Sequence, residues 1–164
     1  MEVIEFLQSF SSDFLNSFMI FITSFGSLYV LMFFVCVIYW CYNKEIGYKM
    51  AIIMSCSGVL NNFVKGLVQS SRPIGVEGIF SIEEFSATGY SFPSGHMQNI
   101  TTFGTSLFIF TRNKIIFILS CVLMALVGIS RLYLGLHWPI DILGGVVLAL
   151  IVSIVLNEIL IKLD

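Results

Sequence analysis

Residues 115–132 read IIFILSCVLMALVGISRL, with a single charged side chain, Arg131, next to the last of them. The hydrocarbon core of a bilayer takes about 20 largely apolar residues of helix, and this stretch comes close to that length without interruption. Four further stretches, 17–42, 49–69, 94–111 and 138–161, behave alike. Composition agrees: 57% of the 164 residues are apolar and 11% charged, and the mean hydropathy is +0.96, far above an ordinary soluble domain. The fold class is therefore all-α, a polytopic membrane helix bundle of about five transmembrane helices. A chain of this length fills one bundle, so residues 1–164 are expected to form a single membrane domain with its chemistry in the bundle or its short loops.

The spans differ in character. The first ends in Tyr39, Trp40 and Tyr42, an aromatic belt suited to an interface. The third is the most polar: Gln98, Thr101, Thr102 and Thr105 can share one helical face, which should point into the bundle. Residues 1–16 alternate apolar side chains with Glu2, Glu5, Gln8 and Asp13, the pattern of an amphipathic helix lying in the membrane surface. No basic residue precedes this run and no small-residue cleavage site follows, so a signal peptide is not expected. The long connection 70–92 mixes Glu77, Glu83 and Glu84 with Ile79, Phe80, Ile82, Phe85 and Tyr90, and is expected to fold over a site at the surface. Cys36, Cys41, Cys56 and Cys121 lie in apolar stretches without CxxC spacing; they read as small buried hydrophobes, and neither a disulfide framework nor a zinc site is indicated. The net charge of −2 singles out no partner, and no nucleic-acid partner is expected.

The basic residues orient the chain. With five spans, Lys44, Lys49, Arg112, Lys114 and Lys162 fall on one side, leaving Lys65, Arg72 and Arg131 as the cations of the other. By the positive-inside rule the first group is cytoplasmic. The N-terminus and the opposite loops then face outward, which in a bacterium means the periplasm or the cell exterior.

That outer side carries three clusters: Lys65 with Arg72-Pro73, Pro93-Ser94-Gly95-His96, and Ser130-Arg131 followed by His137 and Asp141. Each residue alone has an ordinary explanation. Lys65 or Arg72 at a span edge suits a snorkelling anchor, His96 a satisfied bundle histidine, Ser94-Gly95 a helix start. Gly144 and Gly145 suit close helix packing. Asp141 is harder to dismiss, because an unpaired carboxylate inside an apolar helix is costly. Together they suit one task. Arg forks match phosphate oxygens and Lys65 adds a compact charge, while Pro93 in a first helical turn would leave the amides of Ser94, Gly95 and His96 facing an anion. His137 and Asp141, four residues apart, would share a helical face, the carboxylate orienting an imidazole whose other nitrogen attacks phosphorus. His96 would protonate the leaving oxygen and later activate water. With three cations to neutralise the phosphoryl group no metal and no other cofactor is called for.

On these residues the chain resembles the type 2 phosphatidic acid phosphatase (PAP2) family, whose signature is K-x6-RP, then PSGH, then SR-x5-H-x3-D. All three parts are present without substitution across residues 65–141. The resemblance implies a metal-independent phosphatase with His137 as the nucleophile that becomes phosphohistidine, Asp141 as its orienting partner and His96 as general acid and base. Lys65, Arg72, Ser94, Gly95 and Arg131 match the phosphate-binding positions. One departure stands out: a single convincing span precedes the first motif, where six-span members have more, and residues 1–16 occupy the place of the missing one.

Family members act on phosphatidic acid, phosphatidylglycerophosphate, isoprenoid diphosphates, lipid A phosphates and some soluble sugar phosphates, and the signature does not separate them. A site at the interface without a soluble cap favours a lipid phosphate, whose tail stays in the bilayer among membrane lipids. Two other readings are set against this. One is a phosphotransferase passing the phosphoryl group to an acceptor other than water; the other is a non-catalytic ion or lipid translocation path, against which the first, second and fourth spans are apolar at mid-membrane. The oligomeric state is not legible. The related vanadium haloperoxidases share the signature but are soluble, unlike a chain with five apolar spans.

Overall fold

The computed structural model describes residues 1–83 and 87–162; Glu84 and Phe85, part of the connection expected to cover the site, lie outside the described residues. Within them the chain forms α1 (Glu2–Gln8), α2 (Asp13–Ser24), α3 (Leu28–Val37) running on into a π-helical turn (Ile38–Tyr42), α4 (Lys44–Val68), α5 (Gly95–Thr111), α6 (Lys114–Tyr133) and α7 (Pro139–Lys162), and no strand. The joints follow from local chemistry. Asn43 caps α4 by accepting the Ile46 N–H at 3.0 Å, and Asn113 caps α6 by accepting that of Ile115 at 2.8 Å. Gln69 and Arg112, with φ of 51° and 53°, close α4 and α5 in the left-handed conformation.

Three helices, α4, α6 and α7, are long and apolar enough to cross a membrane, and α2 with α3 makes a fourth crossing only as a pair bent by 52°. The stretch 17–42 is thus a broken span rather than one helix. The break falls at Phe25-Gly26-Ser27, where a Cβ on Gly26 would lie 2.9 Å from the Cβ and 3.0 Å from the carbonyl oxygen of His96. Bending there lets the chain press against α5, and Asn99 Nδ2 donates to the Gly26 carbonyl, freed from helical pairing, at 3.3 Å. At 17 residues, about 25 Å, α5 is shorter than the three crossing helices and packs against α4, α6 and α7 alike.

The bundle is apolar outside and polar within. Ile118, Leu119 and Val122 on α6 and Leu143, Val147 and Ile151 on α7 are exposed, while Gln98, Thr101, Thr102 and Ser106 of α5 are buried together with Ser57, Asn61, Ser153 and Asn157. Lipid is as apolar as leucine, so burial of aliphatic side chains does little to join helices there; hydrogen bonds and close packing do more. Ser57 and Thr102 hydroxyls meet at 2.9 Å, Asn61 donates to Gln98 at 2.6 Å, and Asn157 donates to Ser106 at 3.2 Å. The two α4 pairs make α5 antiparallel to α4, and Asn157–Ser106 together with the close approach of Gly145 to Ser94 O makes it parallel to α7. The cysteines obey the same inversion. All four are free and none is buried, Cys41 and Cys56 being exposed, which corrects the expectation of small buried hydrophobes: in a bilayer the outer helix surface suits an apolar thiol.

Residues 1–16 also differ from one continuous interfacial helix. α1 ends at Gln8, and a new helix starts at Asp13, where the Ser12 hydroxyl accepts the Leu15 N–H at 3.3 Å. α1 presents Met1, Val3 and Phe6 outward, whereas Ile4 and Gln8 are buried against the protein. Beneath it and α2 lies a small core of Tyr133, Leu134 and Leu136.

Candidate active site

Because α5 and α7 start at the end of the bundle where α4 and α6 finish, the three sequence clusters meet there. They border one cavity of about 780 Å³ whose walls include Lys65, Arg72, Gly95, His96, Arg131 and His137, with Asn61, Asn62 and Asn99 beside them. Lys65 stands in the last turn of α4 and donates to the Tyr90 carbonyl and, at 3.4 Å, to that of Ser91. Arg72 is held by its own loop and by the turn before α7: Nε donates to Gly89 O at 3.0 Å and Nη2 to Thr88 O at 3.0 Å within the loop, and Nη1 to Leu136 O at 2.8 Å in the turn. Arg131 is 1% exposed. Its Nη1 donates to the Thr23 hydroxyl of α2 at 3.2 Å, and its Nε has no partner among the described residues.

His137 sits in the turn before α7. Arg72 Nη1 lies 3.1 Å from its Nε2. A guanidinium can only donate, so Nε2 carries the lone pair and Nδ1 the proton. Nδ1 faces two oxygens, Asp141 Oδ2 at 3.4 Å and Ser91 Oγ at 3.3 Å. Burial, with Arg131 and Arg72 near, holds the His137 pKa below its ordinary value against the opposing pull of the Asp141 hydrogen bond, so the ring stays neutral. Burial also lowers the pKa of Arg72, but from so high a starting point that the guanidinium keeps its charge at neutral pH.

The pairing of His137 and Asp141 is not that of two residues on one helical face, as their spacing suggested. Pro139 opens α7, which leaves His137 outside it and places Asp141 at the third helical position. There Oδ2 accepts the Trp138 N–H at 2.7 Å, the backward bond of a helix capping box. The Ser91 hydroxyl donates to the same oxygen. Asp141 is fully buried and stands behind His137, away from the cavity.

The PSGH segment is likewise shifted. Ser94, not Pro93, is the residue before α5, so Pro93 lies outside the helix. The Ser94 N–H donates to the Asp141 carbonyl at 3.0 Å and its side chain is fully buried off the cavity. Of the three amides expected to face an anion, those of Gly95 and His96 remain, first-turn groups without an intrahelical acceptor. Gly144 and Gly145 do serve packing: a Cβ on Gly145 would lie 2.8 Å from Ser94 O, and one on Gly144 would strike the Phe92 ring. Ser91 was not anticipated, nor were Asn61 and Thr23 as supports, whereas Gln98 points into the bundle as its helical face suggested. Ser91 belongs to no spacing rule, being one residue before Phe92-Pro93 in a long loop; the Gln98 amide, inside an apolar span, was the better signal.

The geometry is that of a lone-pair nitrogen at the wall of a cationic cavity, backed by a carboxylate, with a second histidine, His96, lining the same cavity. Residues 46–163 match the family model described as the PAP2 superfamily. Over 132 residues the chain is 30% identical to an undecaprenyl-diphosphatase of Sulfolobus acidocaldarius, covering 80% of this chain and 64% of that one. It is 32% identical over 114 residues to phosphatidylglycerophosphatase B of Bacillus subtilis, covering 64% and 53%. Two crystal structures share the fold. A transmembrane PAP2-type phosphatidylglycerolphosphate phosphatase of Bacillus subtilis superposes with a TM-score of 0.84 at 24% identity, over 99% of this chain and 85% of that one. For Aquifex aeolicus LpxE the TM-score is 0.83 at 22% identity, over 96% and 93%. The chain spans 64% and 53% of the length of the two curated relatives.

Proposed function

Because this chain belongs to the PAP2 superfamily, we propose that it is an integral-membrane lipid phosphate phosphatase working through a phosphohistidine on His137. The observation that carries this reading is the state of His137: Nε2 unprotonated beside Arg72, Nδ1 turned to Asp141 and Ser91. Lys65, Arg72, Arg131 and the amides of Gly95 and His96 would take the phosphoryl oxygens. Ser94 would act from behind, through its backbone bond to Asp141.

In the first step Nε2 attacks phosphorus, an N–P bond forms, and the P–O bond to the lipid alcohol or to the remaining phosphate breaks as His96 hands a proton to the departing oxygen. Positive charge grows on the imidazole and is met by the buried Asp141 carboxylate. His96 then takes a proton from water, the water oxygen attacks phosphorus, and the N–P bond breaks to release phosphate. Three cations balance the phosphoryl charge throughout, so the reading requires no metal.

A cavity of about 780 Å³ exceeds one phosphate group several-fold and leaves room for a headgroup. Its rim includes the exposed Tyr29 and the outer face of α4 at Gly58, Asn62 and Gly66, which favours a lipid reaching in from the bilayer. The substrate class is a phosphomonoester or diphosphate of a lipid, and the site is read as facing outward from a bacterial plasma membrane. The test uses the purified protein in detergent with excess EDTA, offered phosphatidic acid, phosphatidylglycerophosphate and an isoprenoid diphosphate. Phosphate release together with an acid-labile phosphoenzyme, both absent from His137→Ala, is the expected result. Activity that needs a divalent ion, or that survives in His137→Ala, would overturn the mechanism.

A further inference from the structure

Gln8 is 9% exposed, an uncharged polar side chain that the reaction does not use. All its hydrogen-bonding capacity but one lone pair is spent on two segments remote in sequence. Nε2 donates to Phe80 O at 2.6 Å and to Tyr133 O at 2.9 Å, and Oε1 accepts the Phe80 N–H at 3.0 Å. It thereby ties the loop carrying Arg72 and Ser91 to the last residue of α6, four residues before His137. Around this clamp the two segments are stitched together: Ile82 N donates to Leu134 O at 2.9 Å and the Ser81 hydroxyl to Gly135 O at 3.2 Å. Gly135, at φ 66°, has no room for a side chain, since a Cβ there would run into Phe80 O and lie 3.1 Å from Gln8 Nε2. The next residue, Leu136, offers the carbonyl that Arg72 Nη1 holds at 2.8 Å while the same nitrogen meets His137 Nε2 at 3.1 Å.

From this chain of contacts we propose that Gln8 is a positioning residue for the reaction, setting the Leu134–His137 turn against the Arg72 loop and so fixing the distance between guanidinium and nucleophile. The proposal rests on His137 being the nucleophile. Its second consequence concerns α1. Val3 and Phe6 of α1 are exposed along with Glu2, and Phe14, Phe18 and Phe21 of α2 are exposed as well, so the clamp is held from a helix on the outer surface of the bundle. Misplacement of reacting groups by about 1 Å costs rate on the order of 100-fold, which sets the scale of the effect.

The test is single-turnover formation of the phosphoenzyme from a lipid phosphate, measured per folded molecule, with the thermal midpoint in detergent recorded alongside. Gln8→Met keeps the bulk and loses both donors and the acceptor. It is expected to lower the phosphorylation rate constant at least tenfold. Gln8→Glu supplies a donor only when protonated, so the ratio of its rate to wild type should rise as pH falls. A phosphorylation rate per folded molecule equal to wild type in Gln8→Met, whatever its midpoint, overturns the proposal. Should that variant fail to fold, a pH-independent ratio in Gln8→Glu does the same. Absence of any phosphoenzyme in the wild type would instead remove the nucleophile reading on which the proposal stands.

Discussion

Replacing Ser91 by alanine removes one of three donors converging on a buried carboxylate oxygen. Asp141 Oδ2 keeps the Trp138 N–H at 2.7 Å and the more distant His137 Nδ1 at 3.4 Å. Both Ser91 and Asp141 are fully buried, so bulk water does not replace the lost hydroxyl, and a hydrogen bond to a charged group contributes about 1.5–3 kcal/mol. That is the expected loss of stability. The kinetic effect is smaller, because the hydroxyl is only one of two oxygens facing Nδ1. If the transition state loses about 1.4 kcal/mol of support for the growing imidazolium, kcat falls about tenfold. Removing the negative charge with Asp141→Asn should cost on the order of 10⁴, the scale found where a carboxylate sets the tautomer of a nucleophile's histidine. The assay is single-turnover phosphoenzyme formation by both variants, with thermal melting in one detergent. A Ser91→Ala protein as inactive as Asp141→Asn would mean that the hydroxyl, and not the carboxylate, orients the ring; one unchanged in both rate and midpoint would refute the hydrogen-bond geometry.

The remaining expectations concern pH, packing and topology. Since burial lowers the pKa of His137, the proposed nucleophile, acid inactivates it by protonation only below the ordinary imidazole value of about 6.5; as pH falls, a single-turnover profile should show no loss of rate down to about 6.5, and an acid-side fall centred at or above that value contradicts the assignment. Gly145→Ala places a methyl 2.8 Å from Ser94 O, prying α5 from α7 at about 1–3 kcal/mol, and should lower both the melting midpoint and kcat, whereas Gly58→Ala, with open space around it, should leave the midpoint within a degree or two. A cysteine at Glu77, in a variant with the four native cysteines replaced, should react with a membrane-impermeant thiol reagent on intact cells, and one at Asn113 should not; the reverse pattern would turn the site toward the cytoplasm.

Much of this was legible because both the solvent and the chemistry leave strong marks in sequence. Apolar length alone located α4, α6 and α7, and an ionisable residue such as Asp141 inside such a stretch demanded a reason. Helix ends were less visible. His137 and Asp141 stand four apart whether or not a helix joins them, and only the Trp138-Pro139 start of α7 shows that they belong to different segments. The break at residues 25–27 was hidden within an apolar run, although Ser24, Gly26 and Ser27 together mark a place where a helix is easily interrupted. Gln8 and Ser91 were beyond reach for a different reason. Each acts through partners more than 40 positions away, and no local pattern encodes such pairing.

The buried face of α5 also bears on how the protein is made. Gln98, Thr101, Thr102 and Ser106 are all fully enclosed by neighbouring helices, yet each would meet lipid if this segment left the translocation machinery by itself, and polar side chains near the middle of a helix oppose such release. α6 follows after only Arg112 and Asn113 and is strongly apolar, so the two can leave as a hairpin, the second helix carrying the first into the bilayer against an α4 already inserted. The end of the bundle that carries the cavity is therefore completed late in synthesis, when α7 arrives to accept the Ser94 amide and seal the polar interior.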